Sequence, residues 1–477
     1  MPRTLLALVA FLFLAMACGG GGHDDPDADG TQDPVTEQDP TTDPASDGDP
    51  AADTPPDGEP PGDDVPPPDA PDTPDVPPDV PPDTEIPPGE CMAGDFVASL
   101  GRDHILVGGA MEDATAALAP FDLRYRYLAG GIFDGDEPCA SCAEGCTAGG
   151  QSCANADGGC GWWGCWQWDA DPPGQFLRNH LQSCQDNGQI PMVTYYEILQ
   201  ASGVGEGAPE VEVANDAAFM RRYFADWRFM LQTIGSAAAI VHHEPDFWGY
   251  AQHYANEHSG GDPHGIAAAV ASANPTDCGG MENTIAGLGQ CLIAMARTYA
   301  PGAKVGLHAS GWGTGWSALY SDDAGFDVAA EARTLAGFLG GCGASSGDLI
   351  IVDAADRDAG YAESTGSDLW WDETNATLPN FTRAFEWALA LTDTLGLPVI
   401  WWQMPLGNMS LPNVTDQWHD NKLDYFFDHT GELAACSTAG MAFGAGIGGQ
   451  TTPETDGGHF VSRVQAYIAA GGQDPCP

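Results

Sequence analysis

The sequence predicts an α/β protein: a (β/α)₈ TIM barrel over residues 91–477, preceded by a signal peptide and a disordered Asp/Pro-rich linker. Three observations predict the barrel. Eight short apolar runs alternate with helical stretches over roughly 370 residues. Most of these runs are continuously apolar, as strands are when helices cover both faces of a parallel sheet. Polar and aromatic residues gather after many different strands, and no glycine-rich phosphate loop joins the first strand to the first helix. That pattern argues against an open, doubly wound sheet.

The elements follow in order. Residues 1–18 read as an export signal: Arg3, an apolar run from Leu5 to Ala17, then Cys18. The run is too short to span a bilayer. Small residues precede Cys18 and four glycines follow it, which resembles the lipobox of bacterial lipoproteins. The resemblance implies lipidation of Cys18 and an anchor in the outer membrane or at the cell surface. Leu14 lies one place further from Cys18 than that pattern has it, and an ordinary secretory signal is the alternative. Residues 19–90 hold 22 acids, no Lys or Arg, and no Phe, Trp or Tyr. Such a stretch cannot bury enough apolar area to offset its chain entropy, and proline with charge repulsion keeps it extended. At ~3.1 Å per residue it reaches about 200 Å at most. Asp25-Pro26-Asp27-Ala28-Asp29-Gly30 begins like a calcium loop, but Thr36 stands where the bidentate Glu belongs, so the segment is read as a solvated tether.

With a formal net charge of −54 over the chain, residues 91–477 carry −33. An acidic surface disfavours nucleic acid and suits a neutral or cationic substrate. Cysteine usage points the same way as the signal. Besides Cys18 there are thirteen, six of them between Cys139 and Cys165 in an insertion at 134–170. In an oxidising compartment they are read as disulfides, with at least one thiol left over. Cys139 and Cys142 have zinc-like spacing, but no His stands in the cluster. Cys91 and Cys476 bracket the barrel, and a bridge between them would tie its ends.

The predicted strands are Ile105–Gly108, Arg124–Ala129, Pro191–Tyr196, Ala237–Val241, Ala303–His308, Leu349–Val352, Pro398–Trp402 and Gly440–Phe443. The predicted helices are Phe176–Cys184, Ala217–Thr233, Glu282–Tyr299, Val328–Leu339, Asn380–Leu395 and Phe460–Ala469. Phe219, Tyr223, Trp227 and Met230 recur at helical spacing in the second. Pro301-Gly302 stops the third, and Gly396 with Pro398 punctuates the passage from the fifth helix to the next strand.

In such barrels the chemistry sits where strands end. Glu112 and Asp113 follow the first strand. Phe133, Asp134 and Asp136 follow the second, then Trp162, Trp163, Trp166 and Trp168 in the Cys-rich insertion. These tryptophans form either a small loop core or a rim that grips a polymer. Tyr196-Glu197 closes the third strand, and His242-His243-Glu244-Pro245-Asp246-Phe247-Trp248 the fourth. His308, Trp312 and Trp316 follow the fifth, Asp353, Asp356, Arg357 and Asp358 the sixth, and Trp401-Trp402-Gln403 the seventh. Carboxylates beside aromatics suit carbohydrate: rings stack on sugar C–H faces, and glycoside hydrolysis needs two carboxyl groups flanking one bond.

The run Ile240-Val241-His242-His243-Glu244-Pro245-Asp246 resembles barrel glycoside hydrolases that carry an acid/base Glu in an Asn-Glu-Pro motif at the end of strand four. His243 replaces the Asn. The resemblance implies an extracytoplasmic glycosidase with Glu244 as proton donor and no cofactor. Gln403 stands where retaining members have a nucleophilic Glu, and an amide cannot attack as a carboxylate does. The second carboxylate is then Glu197 or Asp353, or the barrel binds sugar without cleaving it. Tyr196, Asp246, Trp248, His308, Trp312, Asp356, Trp401, Trp402 and Gln403 are the expected substrate-binding residues. A third reading is a metal-dependent hydrolase using His242, His243, His308, Glu244 and Asp353. Against it, adjacent residues on a strand point to opposite sides, so His242 and His243 seldom share a metal. His419 and Asp420 are expected to cap a helix beginning near Asn421. The membrane is contacted through the lipid anchor alone.

Overall fold

A computed structural model describes residues 91–129, 132, 174–315, 317–444 and 446–476, with the paired two-residue strands 147–148 and 151–152. Residues 1–90, with Cys18 and the tether, lie outside the described residues. So do most of the Cys-rich insertion with its tryptophans, Phe133, Asp134, Asp136 and Trp316.

Eight parallel strands close a barrel in chain order: β1 (Leu106–Gly109), β2 (Leu123–Leu128), β3 (Ile190–Tyr195), β4 (Ala239–His243), β5 (Ala303–Ala309), β6 (Leu349–Asp353), β7 (Val399–Met404) and β8 (Thr438–Phe443), which pairs with β1. All eight predicted strands are present. The largest displacement is in β4, which runs two residues further and takes His242 and His243 into the wall. The strands are buried along both faces, which is why they read as unbroken apolar runs. Two glycines in β1 are there for space: a Cβ on Gly108 would collide with the Leu123 carbonyl, and one on Gly109 with that of Phe443.

The main helices are α1 (Met92–Ser99), α2 (Gln175–Asp186), α3 (Ala217–Ile234), α4 (Phe247–His258), α5 (Ile285–Tyr299), α6 (Val328–Gly341), α7 (Phe381–Leu395) and α8 (His459–Ala469). Their starts are marked by side chains that accept from the first free amides: Asp216 for α3, Thr284 for α5, Asp327 for α6 and Asn380 for α7. Gly396 ends α7 in the left-handed conformation. Asp420 accepts from the Lys422 amide at the start of the short helix Lys422–Asp428, whereas His419, also expected to cap it, bonds the Leu411 carbonyl instead. None of the described helices is long and apolar enough to cross a membrane.

Two cores result. The larger lies between wall and helices; there α3 buries Phe219, Tyr223, Trp227 and Met230, the residues of its apolar stripe. The smaller fills the lumen, and Ala93, Phe96 and Val97 of α1 pack into it beside Leu106 and Leu123. Helix α1, which the sequence pattern did not reveal, thus plugs the end where the strands begin. Cys91 at its start is bonded to Cys476. A second disulfide joins Cys278 to Cys291, and the free cysteines among the described residues, Cys184, Cys342 and Cys436, are buried.

Candidate active site

Side chains alternate along each strand, so one set from each faces the lumen. Near the strand ends this set includes Tyr125 and Tyr127 (β2), Thr194 (β3), His242 (β4), His308 (β5), Asp353 (β6) and Trp402 (β7). The Trp402 ring packs 4.5 Å from His242, 5.6 Å from Tyr127 and 5.8 Å from His308. A hydrogen-bonded chain crosses this layer. Thr194 Oγ1 lies 3.2 Å from His242 Nδ1, His242 Nε2 lies 3.1 Å from His308 Nδ1, and His308 Nε2 lies 3.1 Å from Asp353 Oδ1. Burial holds His242 well below the usual imidazole range, with neighbouring His308 and His243 adding to the effect. His308 thus stands between His242 and Asp353, in contact with one through each ring nitrogen.

The wall's other side holds a second chain. Trp248 Nε1 donates to His243 Nδ1 at 3.2 Å, His243 Nε2 lies 2.7 Å from the Tyr223 oxygen, and the Tyr223 hydroxyl donates to Glu244 Oε1 at 2.8 Å. Burial pushes His243 down to about 3, so it is neutral. His242 and His243 diverge to opposite faces, as strand alternation requires. Among the described residues, no group of three or more His, Cys, Asp or Glu is gathered in a way that could hold a metal ion.

Backbone strain redirects the strand ends. Glu244, Asp246 and Gln403 have φ of 45°, 68° and 55°, a region non-glycine residues rarely occupy. Continued alternation would send Glu244 into the lumen after His242. Instead its carboxyl turns toward α3, where Oε1 also accepts from the Glu197 and Ile198 amides at 3.1 Å each. It is fully buried, and burial raises it to about 8 against the pull of those donors. Glu197 is fully buried near Tyr195 and Tyr223, on the same outer side. The carboxyl expected to donate a proton and one of its two expected partners thus lie behind the wall.

Asp246, two residues on, is only partly buried. Burial raises it to about 7; the charge of His308 opposes this, and Asp353, Asp356 and Glu206 add to it. On β7 the register slips by one residue against β8, a bulge that turns Gln403 inward beside Trp402. Its Nε2 donates to the Tyr127 hydroxyl at 2.5 Å.

The mouth therefore gathers Asp246, His308, Asp353, Trp402 and Gln403. Asp356 stands close by, paired with Arg357 through two hydrogen bonds. Tyr196 is buried facing Asp246, and Trp312 lies at the rim with its ring 4.6 Å from Tyr250. Two expected platforms are not available. Trp248, the second residue of α4, is fully buried and bonded to His243. Trp401 is fully buried on the outer side, donating to Thr438 Oγ1 at 3.2 Å and packing on Phe385 and Phe426. Each follows from geometry: α4 begins directly after the fourth strand, and Trp401 has outward parity.

Sequence reasoning missed Tyr127, Glu206, Glu210, Tyr250 and Tyr320. Glu206 and Glu210 lie between β3 and α3, one of the longer loops at this end, and only that length hinted at them. Tyr250 lies on α4, which was not foreseen as a helix. The Tyr320 hydroxyl is buried within the field of Asp353 and Asp356.

No protein-family model matches the sequence, and no curated protein is similar to it in sequence. Among solved structures the chain is similar to several glycoside hydrolases. An endo-β-1,4-mannanase from Thermotoga petrophila is 9% identical, with a TM-score of 0.40 over 78% of each chain. A modular endo-β-1,4-mannanase from Cellulomonas fimi is 10% identical, with a TM-score of 0.44 over 80% of this chain and 74% of that one. A glycoside hydrolase family 5 mannosidase from Rhizomucor miehei is 9% identical, with a TM-score of 0.39 over 77% and 93%. The assignment of the fold rests on the closed barrel itself.

Proposed function

We propose that this chain is an exported glycoside hydrolase that cleaves an oligosaccharide or polysaccharide at the open mouth of its barrel, with Asp246 as proton donor and Asp353 as the second carboxylate. One observation carries the reading: two carboxyls share the mouth, Asp353 hydrogen-bonded to His308, and Asp246 partly buried and raised to about 7 chiefly by burial, with Asp353 adding to it. A donor needs a carboxyl that keeps its proton near neutrality beside a second carboxylate. Asp246 protonates the glycosidic oxygen as the bond breaks. Asp353, oriented by His308, attacks the anomeric carbon or takes the proton of a water that does. Gln403 offers an amide to sugar hydroxyls, and Trp312 with Tyr250 offers ring faces. The signal-like N-terminus supports export and the disulfides accord with it, with Cys18 as the membrane anchor and the tether as spacer.

A second reading, a carbohydrate-binding barrel without turnover, is favoured by Gln403 at the end of β7. The test is release of reducing ends from a panel of polysaccharides and aryl glycosides. The reading expects kcat/KM to fall as pH rises through about 7, where Asp246 loses its proton. Asp246→Asn should lose about 10²–10⁴-fold on natural linkages and much less on aryl glycosides, whose leaving groups need no acid. Asp353→Asn should lose activity on both. Turnover unchanged in both variants refutes the assignment. Binding without turnover in the wild type selects the second reading.

A further inference from the structure

After β3 lie two buried polar groups without hydrogen-bond partners, the Glu210 carboxyl and the Tyr196 hydroxyl. Glu210, on the short helix Ala208–Val213, is fully buried, and neither carboxyl oxygen has a hydrogen-bond partner. The Tyr196 hydroxyl, on a residue 6% exposed, has none either. The charges of Glu244, Asp246 and Glu206 act on Glu210, and those of Asp246, Glu210, Glu206 and Glu244 act on Tyr196. Glu206 accepts from the Tyr250 hydroxyl at 3.3 Å, and Tyr250 leans on Trp312. Among the described residues no Lys or Arg is hydrogen-bonded or ion-paired to Glu206, Glu210 or Asp246. Arg357, at the other side of the mouth, is taken by Asp356.

Ionised, these carboxyls repel one another, with His308 offsetting the charge of Asp246 but not that of Glu206 or Glu210, and a buried carboxyl without a donor is costly. Burial, then the charges of Glu244, Asp246 and Glu206, push Glu210 well above the ordinary carboxylate range. A ligand that brings both N–H donors and positive charge relieves both costs. An ammonium does so, with three donors and a charge that also favours the faces of Tyr250 and Trp312. A neutral hydroxyl supplies one donor and no charge.

We propose that the subsite beside Asp246 takes a cationic amino sugar, its ammonium seated among Glu206, Glu210 and Asp246 and within reach of the Tyr196 hydroxyl. This rests on the reading that the mouth binds carbohydrate, and it names the substrate class as an oligosaccharide or polysaccharide with free amino groups. The charge of −33 over residues 91–477 draws such a polymer toward the barrel.

The test is calorimetry on the full chain carrying Asp353→Asn, to suppress turnover, at pH 6 and moderate salt. The probes are a β-1,4-linked glucosamine tetramer, its fully N-acetylated counterpart and tetralysine. The free-amine tetramer should bind at least tenfold tighter than the acetylated one. Adding Glu210→Gln or Glu206→Gln should erase most of that preference. Glu210→Gln keeps the buried shape, and Glu206→Gln lies at a partly exposed position, so at least one variant keeps its fold; near-UV circular dichroism verifies it. Equal binding of the acetylated tetramer overturns the proposal and leaves the carbohydrate reading standing. Equal binding of tetralysine, insensitive to both Gln variants, reduces the effect to bulk charge and also overturns it. No binding of either sugar, with no turnover on the polysaccharide panel, removes both.

Discussion

Glu244 and Asp246 are separated only by Pro245, yet they do different jobs. Glu244 closes a network that runs through Trp248, His243 and Tyr223 and satisfies two amides of the β3–α3 connection. It fastens the end of β4 to α3, while Asp246 faces the mouth. Glu244→Ala should leave the Glu197 and Ile198 amides buried without an acceptor and cost about 2–4 kcal/mol, read by chemical denaturation. Glu244→Gln keeps the shape and tests the proton. The folded protein holds that proton to about 8, whereas an unfolded Glu releases it near 4.5. Between those values the unfolded chain ionises first, so native stability falls as pH rises. Glu244→Gln should remove that decline, a difference on the order of 5 kcal/mol between pH 4 and pH 9. An unchanged slope would mean that the carboxyl is ionised in the fold. The sequence identified this tripeptide as the place where chemistry gathers. It did not disclose which carboxyl faces the lumen, because alternation holds only while the strand is regular and a φ of 45° at Glu244 breaks it.

At the scale of elements, strand and helix positions were legible because burial on both faces leaves apolar runs and one-sided burial leaves helical stripes. What was not legible was where strands stop. Helix α4 begins directly after the fourth strand and draws Trp248 into the shell. The bulge in β7 brings the neighbours Trp402 and Gln403 to the same side and leaves Trp401 outside. Trp248→Ala and Trp401→Ala should therefore each cost about 3–5 kcal/mol of stability, the expected loss for a large buried aromatic. Trp312→Ala should change stability by no more than about 0.5 kcal/mol and weaken oligosaccharide binding roughly tenfold. Melting curves together with binding isotherms separate the two outcomes. A weakened affinity with intact stability in Trp401→Ala would return that residue to the site.

At the scale of the molecule, the barrel is plugged at one end by α1 and presents its strand ends at the other. The Cys91–Cys476 bridge spans 385 residues of sequence and holds α1 to the C-terminus. Replacing both cysteines by Ser should lower stability by about 2–5 kcal/mol, since an open chain of that length has far more conformational freedom when unfolded. KM and kcat should not change, because the bridge lies at the opposite end from the mouth. A thermal melt and a turnover assay on one preparation check both.

The sequence by itself determined the barrel, its eight strands and the succession of strand ends at which polar groups collect. These depend on local periodicity and on how much of each face is buried, and both are written along the chain. Only the tertiary structure decided which of those polar groups share the lumen. That depends on three positive-φ residues and one bulge, each turning a side chain by a whole face through a rotation of a single residue. It also decided that Glu206 bonds Tyr250 while Glu210 and the Tyr196 hydroxyl are buried without partners, because that depends on how the segment after β3 folds, and no spacing in the sequence encodes it.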